Sequence, residues 1–354
     1  MTGPRIRDDL QALTGYHSAQ VDAEVRLNTN ESPFEPPREF LEALASAVSS
    51  SHLNRYPDRT ANSLRKAIAA KHGASPAEIF CGNGSNEVLQ SLLLAFGGAE
   101  RSALVFEPTY PLHSHIARIC ATDVIAVSRS ADFDLTANQV GAAVRASDPA
   151  ITFLCSPNNP TGLSVTPDVV AAALEAGTGL VVVDEAYGQF AVHSALDQRD
   201  GFGSDRLVIV RTFSKTWGLA GIRLGYCVAE PSIIDGLYAA SLPYNLSALT
   251  QRAGELALGF EDAMLTGVAE VIAERDRVLD ALGEMPVKVW PTDANFILFR
   301  PLTVEGSAVW KALVERSILI RDCSAWSSLE GCLRVTVGTS AENDRFINAL
   351  KEIL

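Results

Sequence analysis

The sequence predicts an α/β protein, with a mostly parallel sheet between layers of helices and a smaller α+β lobe after it. Two observations carry this expectation. Between Ile79 and Ala229, short apolar runs rich in β-branched residues alternate with helical segments, which is how strands buried on both faces read. From about residue 244 the pattern changes to a long helical stretch and then to strands and helices in mixed order. With 47% hydrophobic and 20% charged residues among 354, the chain has ample apolar surface for such a core.

Taken in order, residues 1–37 are irregular and end in "NTNESPFEPP", so they read as an arm laid over another part of the molecule. Residues 38–48 and 62–73 place apolar side chains at helical spacing, and Gly73 suits a helix C-terminus. "SPAE" (75–78) is a capped turn leading into the strand "IFCG". Further strands are expected at 102–107, 123–128, 150–156, 179–187, 206–212 and 225–229. A helical stretch over 247–283 follows. Then come "VKVWPTDANFILFR", a helix near 306–316, "ILIRD", "CLRVTVG" and a terminal helix. The expected division is an arm (1–37) belonging to the small domain, a large domain (38–243) and a small C-terminal domain (244–354).

Charge and composition exclude several function classes. A net charge of −13 and a pI near 5.0 argue against a nucleic-acid or anionic-membrane surface. The stretch "MTGPRIRDDLQALTGY" lacks the apolar core of a signal peptide, and no run approaches a membrane span. Six scattered cysteines without a C-x-x-C pair read as reduced, mostly buried thiols of a cytoplasmic protein. Asp184, at the end of "LVVVD", reads as a helix cap, a Walker-B acid or a site carboxylate. The chain has no Gly-Lys dipeptide, which removes the phosphate loop a Walker-B acid needs. No G-x-G-x-x-G, G-x-S-x-G or H-E-x-x-H occurs, which disfavours dehydrogenase, serine-hydrolase and zinc-protease readings. His113 and His115 form an H-x-H pair with no cysteine or carboxylate cluster beside it, so no metal is expected.

In a parallel sheet, ligands bind beyond the carboxyl ends of the strands. "GNGSNE" (82–87) follows a strand and opens a helix, so the N–H groups near Gly84, Ser85 and Asn86 form a cup suited to phosphate, or a plain glycine turn. The most informative stretch is "RTFSKTWGLAGIRLGY" (211–226). Its Lys215 is one of only six lysines and sits among hydroxyls, glycines and an arginine. Partial burial and nearby positive charge lower an amine's pKa and make it a nucleophile towards an aldehyde. Thr212, Ser214 and Arg223 suit a phosphate on the same ligand. Asp184 then suits a carboxylate that keeps a pyridine nitrogen protonated, and Tyr187 a donor to the ring's phenolate oxygen.

These motifs, with "LTGYHSAQ", "LNTNESPF", "RYPD", "EPTY", "SPNNPTG", "DEAY", "ANFILF" and "LRVTVGT", give the chain its resemblance to fold-type-I pyridoxal-phosphate aminotransferases. Within that group it resembles the histidinol-phosphate aminotransferases nearly end to end. The resemblance implies pyridoxal 5′-phosphate as cofactor, with Lys215 bonded to its aldehyde and Asp184 paired with its ring nitrogen. It implies that Tyr187 and Asn159 bind the phenolate oxygen and that Tyr110 lies against the ring face. Gly84, Ser85, Asn86, Thr212, Ser214 and Arg223 would hold the phosphate. Tyr56 would reach the cofactor of a partner subunit, which makes the expected unit a homodimer. Tyr16, Asn159, Arg321 and Arg334 would meet the substrate, an amino donor or 2-oxo acid. The implied reaction interconverts histidinol phosphate and 2-oxoglutarate with imidazole acetol phosphate and glutamate, as in histidine biosynthesis. An aromatic amino-acid aminotransferase and a threonine-phosphate decarboxylase-like lyase share the scaffold and remain alternatives. Leu112 and His113 depart from the Met-Tyr-like pair common in relatives, Asn86 stands where aspartate is frequent, and Trp217 where phenylalanine is usual.

Overall fold

The computed structural model describes residues 4–11, 13, 15 and 21–354. Strand β1 (Val25–Leu27) precedes helices α1 (Arg38–Ser49) and α2 (Asn62–Lys71). Strand and helix then alternate through β2 (Ile79–Asn83), α3 (Ser85–Phe96), β3 (Ser102–Glu107), α4 (Pro111–Ile119) and β4 (Asp123–Ser128). The alternation continues with α5 (Ala137–Ser147), β5 (Ile151–Cys155), α6 (Pro167–Ala176) and β6 (Leu180–Asp184). A short α7 (Arg199–Phe202) leads to β7 (Leu207–Thr212), β8 (Leu224–Val228) and α8 (Pro231–Ala240). Next are α9 (Ala248–Ala257), α10 (Glu261–Gly283), β9 (Val287–Val289) and β10 (Phe296–Pro301). The chain ends with α11 (Gly306–Glu315), β11 (Ile318–Asp322), β12 (Leu333–Thr336) and α12 (Ser340–Ile353).

Seven of these strands form one sheet in the order β2-β8-β7-β6-β5-β3-β4. All run parallel except β8, which is antiparallel to both β2 and β7. The continuous apolar runs are explained by burial on both faces. Along β6, Val181 and Val183 face a core built with α2, α5, α6 and α9, while Leu180 and Val182 face one built with α3, α4 and α8. Parallel pairing brings the carboxyl ends of β5, β6 and β7 to one edge of the molecule, with Asp184 opposite Cys155 and Val210.

The second sheet has five strands in the order β1-β11-β12-β10-β9. It contains part of the arm (1–37) that the sequence reads as irregular throughout: β1 pairs in parallel with β11, with Val25 and Leu27 buried and Arg26 exposed. Three residues are too few to show a period of two, so the pairing is dictated by the neighbouring strand. The 247–283 stretch, read as one helical segment, is interrupted by a 3-10 turn at Leu258–Phe260 that carries Gly259. The break sets Phe260 edge-on against Phe40 of α1, with ring centroids 5.9 Å apart. Local signals elsewhere behave as their chemistry demands. Ser75 and Glu78 form a capping box, and Gly73 sits just past α2 at φ 60°. Among the described residues, no helix is long and apolar enough to cross a membrane.

Candidate active site

A cavity of about 1280 Å³, counting its open mouth, lies beyond the carboxyl ends of β5, β6 and β7. The large sheet and α3 supply Ser85, Asn86, Cys155, Asp184 and Thr212, and β11 and β12 supply Arg321 and Arg334. Residues 28–31, directly after β1, close one side.

Lys215 enters this space from the loop after β7, its Nζ donating to the Thr29 carbonyl at 2.9 Å. Burial, followed by the charge of Arg334, lowers its pKa from the ordinary lysine value to about 8. About a tenth of the amine is therefore uncharged at pH 7, far more than for an ordinary lysine. Thr212 Oγ1 donates to Ser214 Oγ at 3.0 Å and accepts from the Ser214 amide at 3.1 Å, so the two hydroxyls stand side by side.

Asp184, the last residue of β6, is buried. Its Oδ2 lies 2.9 Å from His113 Nε2 and its Oδ1 accepts from the Ala186 amide at 3.1 Å. His113 is fully buried and stacks on Phe153 with a 4.8 Å centroid separation. The pair leaves a carboxylate with a fixed orientation at the cavity floor. Beside it, Tyr187 Oη accepts from Asn30 Nδ2 at 3.0 Å, and burial pushes its phenol pKa up.

The glycine cup has the shape its sequence promised. Gly84 caps the N-terminus of α3 at φ 76°, and a Cβ there would lie 2.6 Å from an Arg223 guanidinium nitrogen. A Cβ on Gly225 would meet the Ser85 amide nitrogen at 2.2 Å. Only glycine at both positions allows β8, the head of α3 and Arg223 to converge. Tyr110 caps α4 at the cavity rim and donates its hydroxyl to Asn86 Oδ1 at 3.3 Å.

On the opposite wall, Arg321 and Arg334 are register partners on the antiparallel strands β11 and β12. Arg334 donates from Nη1 to Asn159 Oδ1 and from Nη2 to the Asn28 carbonyl at 2.9 Å. Asn158, next to Asn159, is fixed by bonds to the Pro108 carbonyl (3.0 Å), Thr161 Oγ1 (2.9 Å) and Thr109 Oγ1 (2.8 Å). The small sheet is thereby tied to the large one across the cavity.

A lysine, a buried carboxylate, a phosphate-shaped cup and paired arginines thus meet in one space. Comparison with known proteins gives the same constellation a family. The model of the family described as "Aminotransferase class I and II" matches residues 23–350. The chain belongs to this family. Among curated proteins, it is 43% identical to a histidinol-phosphate aminotransferase of Frankia casuarinae over 99% of this chain and 91% of that protein. It is also 43% identical to the histidinol-phosphate aminotransferase of Thermobifida fusca, over 98% and 94% of the two chains. The aminotransferase therefore groups with the histidinol-phosphate aminotransferases. Its fold matches the crystal structure of the histidinol-phosphate aminotransferase of Sinorhizobium meliloti in complex with pyridoxal-5′-phosphate. The TM-score is 0.88 at 24% identity, covering 99% of this chain and 98% of that one.

The cofactor of the aminotransferase is pyridoxal 5′-phosphate, and the cavity fits it. The cup whose walls exclude any Cβ, the oriented Asp184 carboxylate and the low-pKa Lys215 amine match its phosphate, ring nitrogen and aldehyde. The cavity brings together Ser85, Asn86, Tyr110, Asn159, Asp184, Tyr187, Thr212, Ser214, Lys215, Arg223, Arg321 and Arg334. Tyr56 is not among its walls. It is 82% exposed and stacks on Tyr244, with centroids 4.7 Å apart. Tyr16 lies outside the described residues. Two residues the sequence reading did not place here are Asn30 and His113. The "LNTNESPF" motif contained the first but gave no partner for it. The second stands out in the sequence as half of an H-x-H pair and, with Leu112, as a departure from the Met-Tyr-like pair of relatives, and neither signal puts position 113 beside position 184.

Proposed function

We propose that the aminotransferase interconverts histidinol phosphate and 2-oxoglutarate with imidazole acetol phosphate and glutamate, as in histidine biosynthesis. The observation that carries this reading is the pair of guanidinium groups, Arg321 and Arg334, side by side on one cavity wall. A phosphate dianion is well served by two arginine forks, whereas a carboxylate is satisfied by one bidentate partner. The names of the 40–43% identical relatives point the same way.

In this reading, pyridoxal phosphate supplies an electron sink for the electrons released at the substrate's α-carbon. The chain's own residues do the rest. Lys215 Nζ takes the α-proton and returns it elsewhere, a task suited to an amine with a pKa near 8. Asp184 keeps the ring nitrogen protonated, and His113 holds Asp184 in place. Tyr187 and Asn159 bind the phenolate oxygen, and Tyr110 lies against the ring. The Gly84–Asn86 amides, Thr212, Ser214 and Arg223 bind the cofactor phosphate. Arg334, with Asn159 already in contact, takes the substrate carboxylate or phosphate, and Arg321 adds the second fork.

Arg321→Ala tests the substrate assignment. A charge-assisted hydrogen bond is worth about 1.5–3 kcal/mol, so losing this fork should lower kcat/KM for histidinol phosphate about tenfold to a hundredfold. The glutamate half-reaction should change far less, because Arg334 remains. Equal losses for both substrates, or a wild-type preference for phenylalanine, would favour the aromatic aminotransferase. Release of CO₂ without amino transfer would favour the lyase.

The division into an arm (1–37), a large domain (38–243) and a small domain (244–354) is part of the same proposal, supported by the two separate sheets. So is a cytoplasmic homodimer. The exposed Tyr56–Tyr244 stack, with Leu53 at 65% and Leu242 at 80% exposure nearby in sequence, offers the apolar surface such a dimer would cover. Tyr56 would then serve the partner subunit's cofactor phosphate. Tyr56→Phe is expected to weaken cofactor retention while sedimentation still shows a dimer. A fully active monomer would remove the shared-site proposal.

A further inference from the structure

Tyr187 has one hydroxyl proton to give, and its neighbours decide where that proton goes. Phe296 fixes the ring by meeting it edge-on, with centroids 5.0 Å apart. The hydroxyl oxygen is engaged by Asn30 Nδ2, which donates to it at 3.0 Å. Among the described residues, none accepts the Tyr187 proton in return. Asn30 and Tyr187 both line the cofactor cavity.

An asparagine side chain offers an oxygen as readily as a nitrogen, so the direction of this bond depends on what holds its other end. Thr336 Oγ1 accepts from the Asn30 backbone amide at 3.0 Å and donates its own proton to Asn30 Oδ1 at 3.0 Å. Asn295 Nδ2 donates to the Asn30 carbonyl at 3.2 Å. Asn30 is 1% exposed and sits in the left-handed region at φ 56°, where asparagine and aspartate are tolerated better than most residues. With its oxygen turned to Thr336, the side chain presents only N–H groups to Tyr187. The phenol oxygen must therefore accept, and its proton is left for an acceptor in the cavity. Burial raises the phenol's pKa, with the Arg334 charge opposing it, so the proton stays on Tyr187 near neutral pH. Asp184, the Cys155 thiol and the Lys215 amine, 5.9 Å from the ring centroid, are the other titratable groups around it.

We propose that Asn30, set by Thr336, is a positioning residue that commits the Tyr187 proton to the cofactor's phenolate oxygen, which rests on the reading of Tyr187 as the donor to that oxygen. Asn30 acts by offering Tyr187 a donor and no acceptor.

The test follows the visible band of the cofactor-loaded enzyme against pH, without substrate. A hydrogen bond donated to the phenolate oxygen favours its charged form and holds the midpoint low, so losing that bond raises the midpoint. Asn30→Asp is nearly isosteric and suits the same left-handed backbone, but its carboxylate takes the Tyr187 proton for itself. It is expected to raise the midpoint by about 1–2 pH units, the equivalent of one hydrogen bond to a charged oxygen. Asn30→Ala removes the donor and leaves the proton undirected, for a rise of about half a pH unit. A merely structural role gives the opposite order, because alanine disturbs the packing more than aspartate does. In a Tyr187→Phe background, Asn30→Asp should lose at least about half of its effect. A shift that persists there in full would come from the new charge acting directly, and would overturn the proposal. So would an aspartate variant no further shifted than the alanine one. If Tyr187→Phe alone leaves the midpoint in place, the reading of Tyr187 falls and the role of Asn30 with it. A midpoint moved by Tyr187→Phe but by neither Asn30 variant removes the role of Asn30 alone. Should Asn30→Asp not fold, Asn30→Ala decides, and an unmoved midpoint in it overturns the proposal.

Discussion

Lys215→Ala is expected to lower turnover by at least about 10⁴-fold, the upper range for loss of a proton-transfer group, with loss of covalent attachment added to it. The visible absorbance produced by the lysine–cofactor bond should vanish, while the thermal transition persists. Lys215 is the only lysine lining the cavity among the described residues, so no neighbour can substitute. The pH dependence of the wild type gives a second readout. Because the amine must be uncharged to attack an aldehyde, capture of added cofactor by the ligand-free chain should speed up as pH rises through about 8, rather than near the ordinary lysine value of 10.5. Burial is the leading cause of that shift, with the Arg334 charge second, so Arg334→Ala should move the midpoint upward. Retained turnover in Lys215→Ala would remove the lysine from the mechanism.

Asp184→Asn is expected to cost about 10²–10³-fold in kcat, the range for removing one preorganised electrostatic group from an active site. Asparagine preserves the shape and the bond from the Ala186 amide but supplies no negative charge to hold a proton on the cofactor's ring nitrogen. Cofactor retention should change much less, since the Gly84 cup, Thr212, Ser214 and Arg223 are untouched. His113→Phe separates the charge from its orientation. Phenylalanine keeps the stack on Phe153 and deletes only the 2.9 Å contact to Asp184, so a loss of about tenfold is expected. Activity of Asp184→Asn within about threefold of wild type would show that the ring nitrogen needs no carboxylate.

The sequence by itself determined the large sheet and the family to which the chain belongs. Continuous runs such as "LVVVD" could only be strands buried on both faces, and the glycines of "GNGSNE" and "IRLGY" mark where backbones must approach closely. The lysine and the aspartate were legible from their local settings, whereas Arg321 and Arg334 were assigned only by the resemblance to aminotransferases, because arginines in strand-like stretches otherwise read as surface residues. What the tertiary structure alone decided are contacts between residues far apart in the chain. His113 reaches Asp184 across 71 positions, because α4, packed on β3, β4 and α3, carries its imidazole to the carboxyl end of β6. Asn30 reaches Tyr187 across 157 positions, because β1 adds to the small sheet and carries the following turn over the cavity. Arg334 meets Asn159 across 175. Hydrophobic periodicity reports only whether a side chain faces the interior, and a three-residue strand is too short to report even that. Which polar partners meet there depends on sheet order and on the docking of the small lobe, for which no local pattern exists.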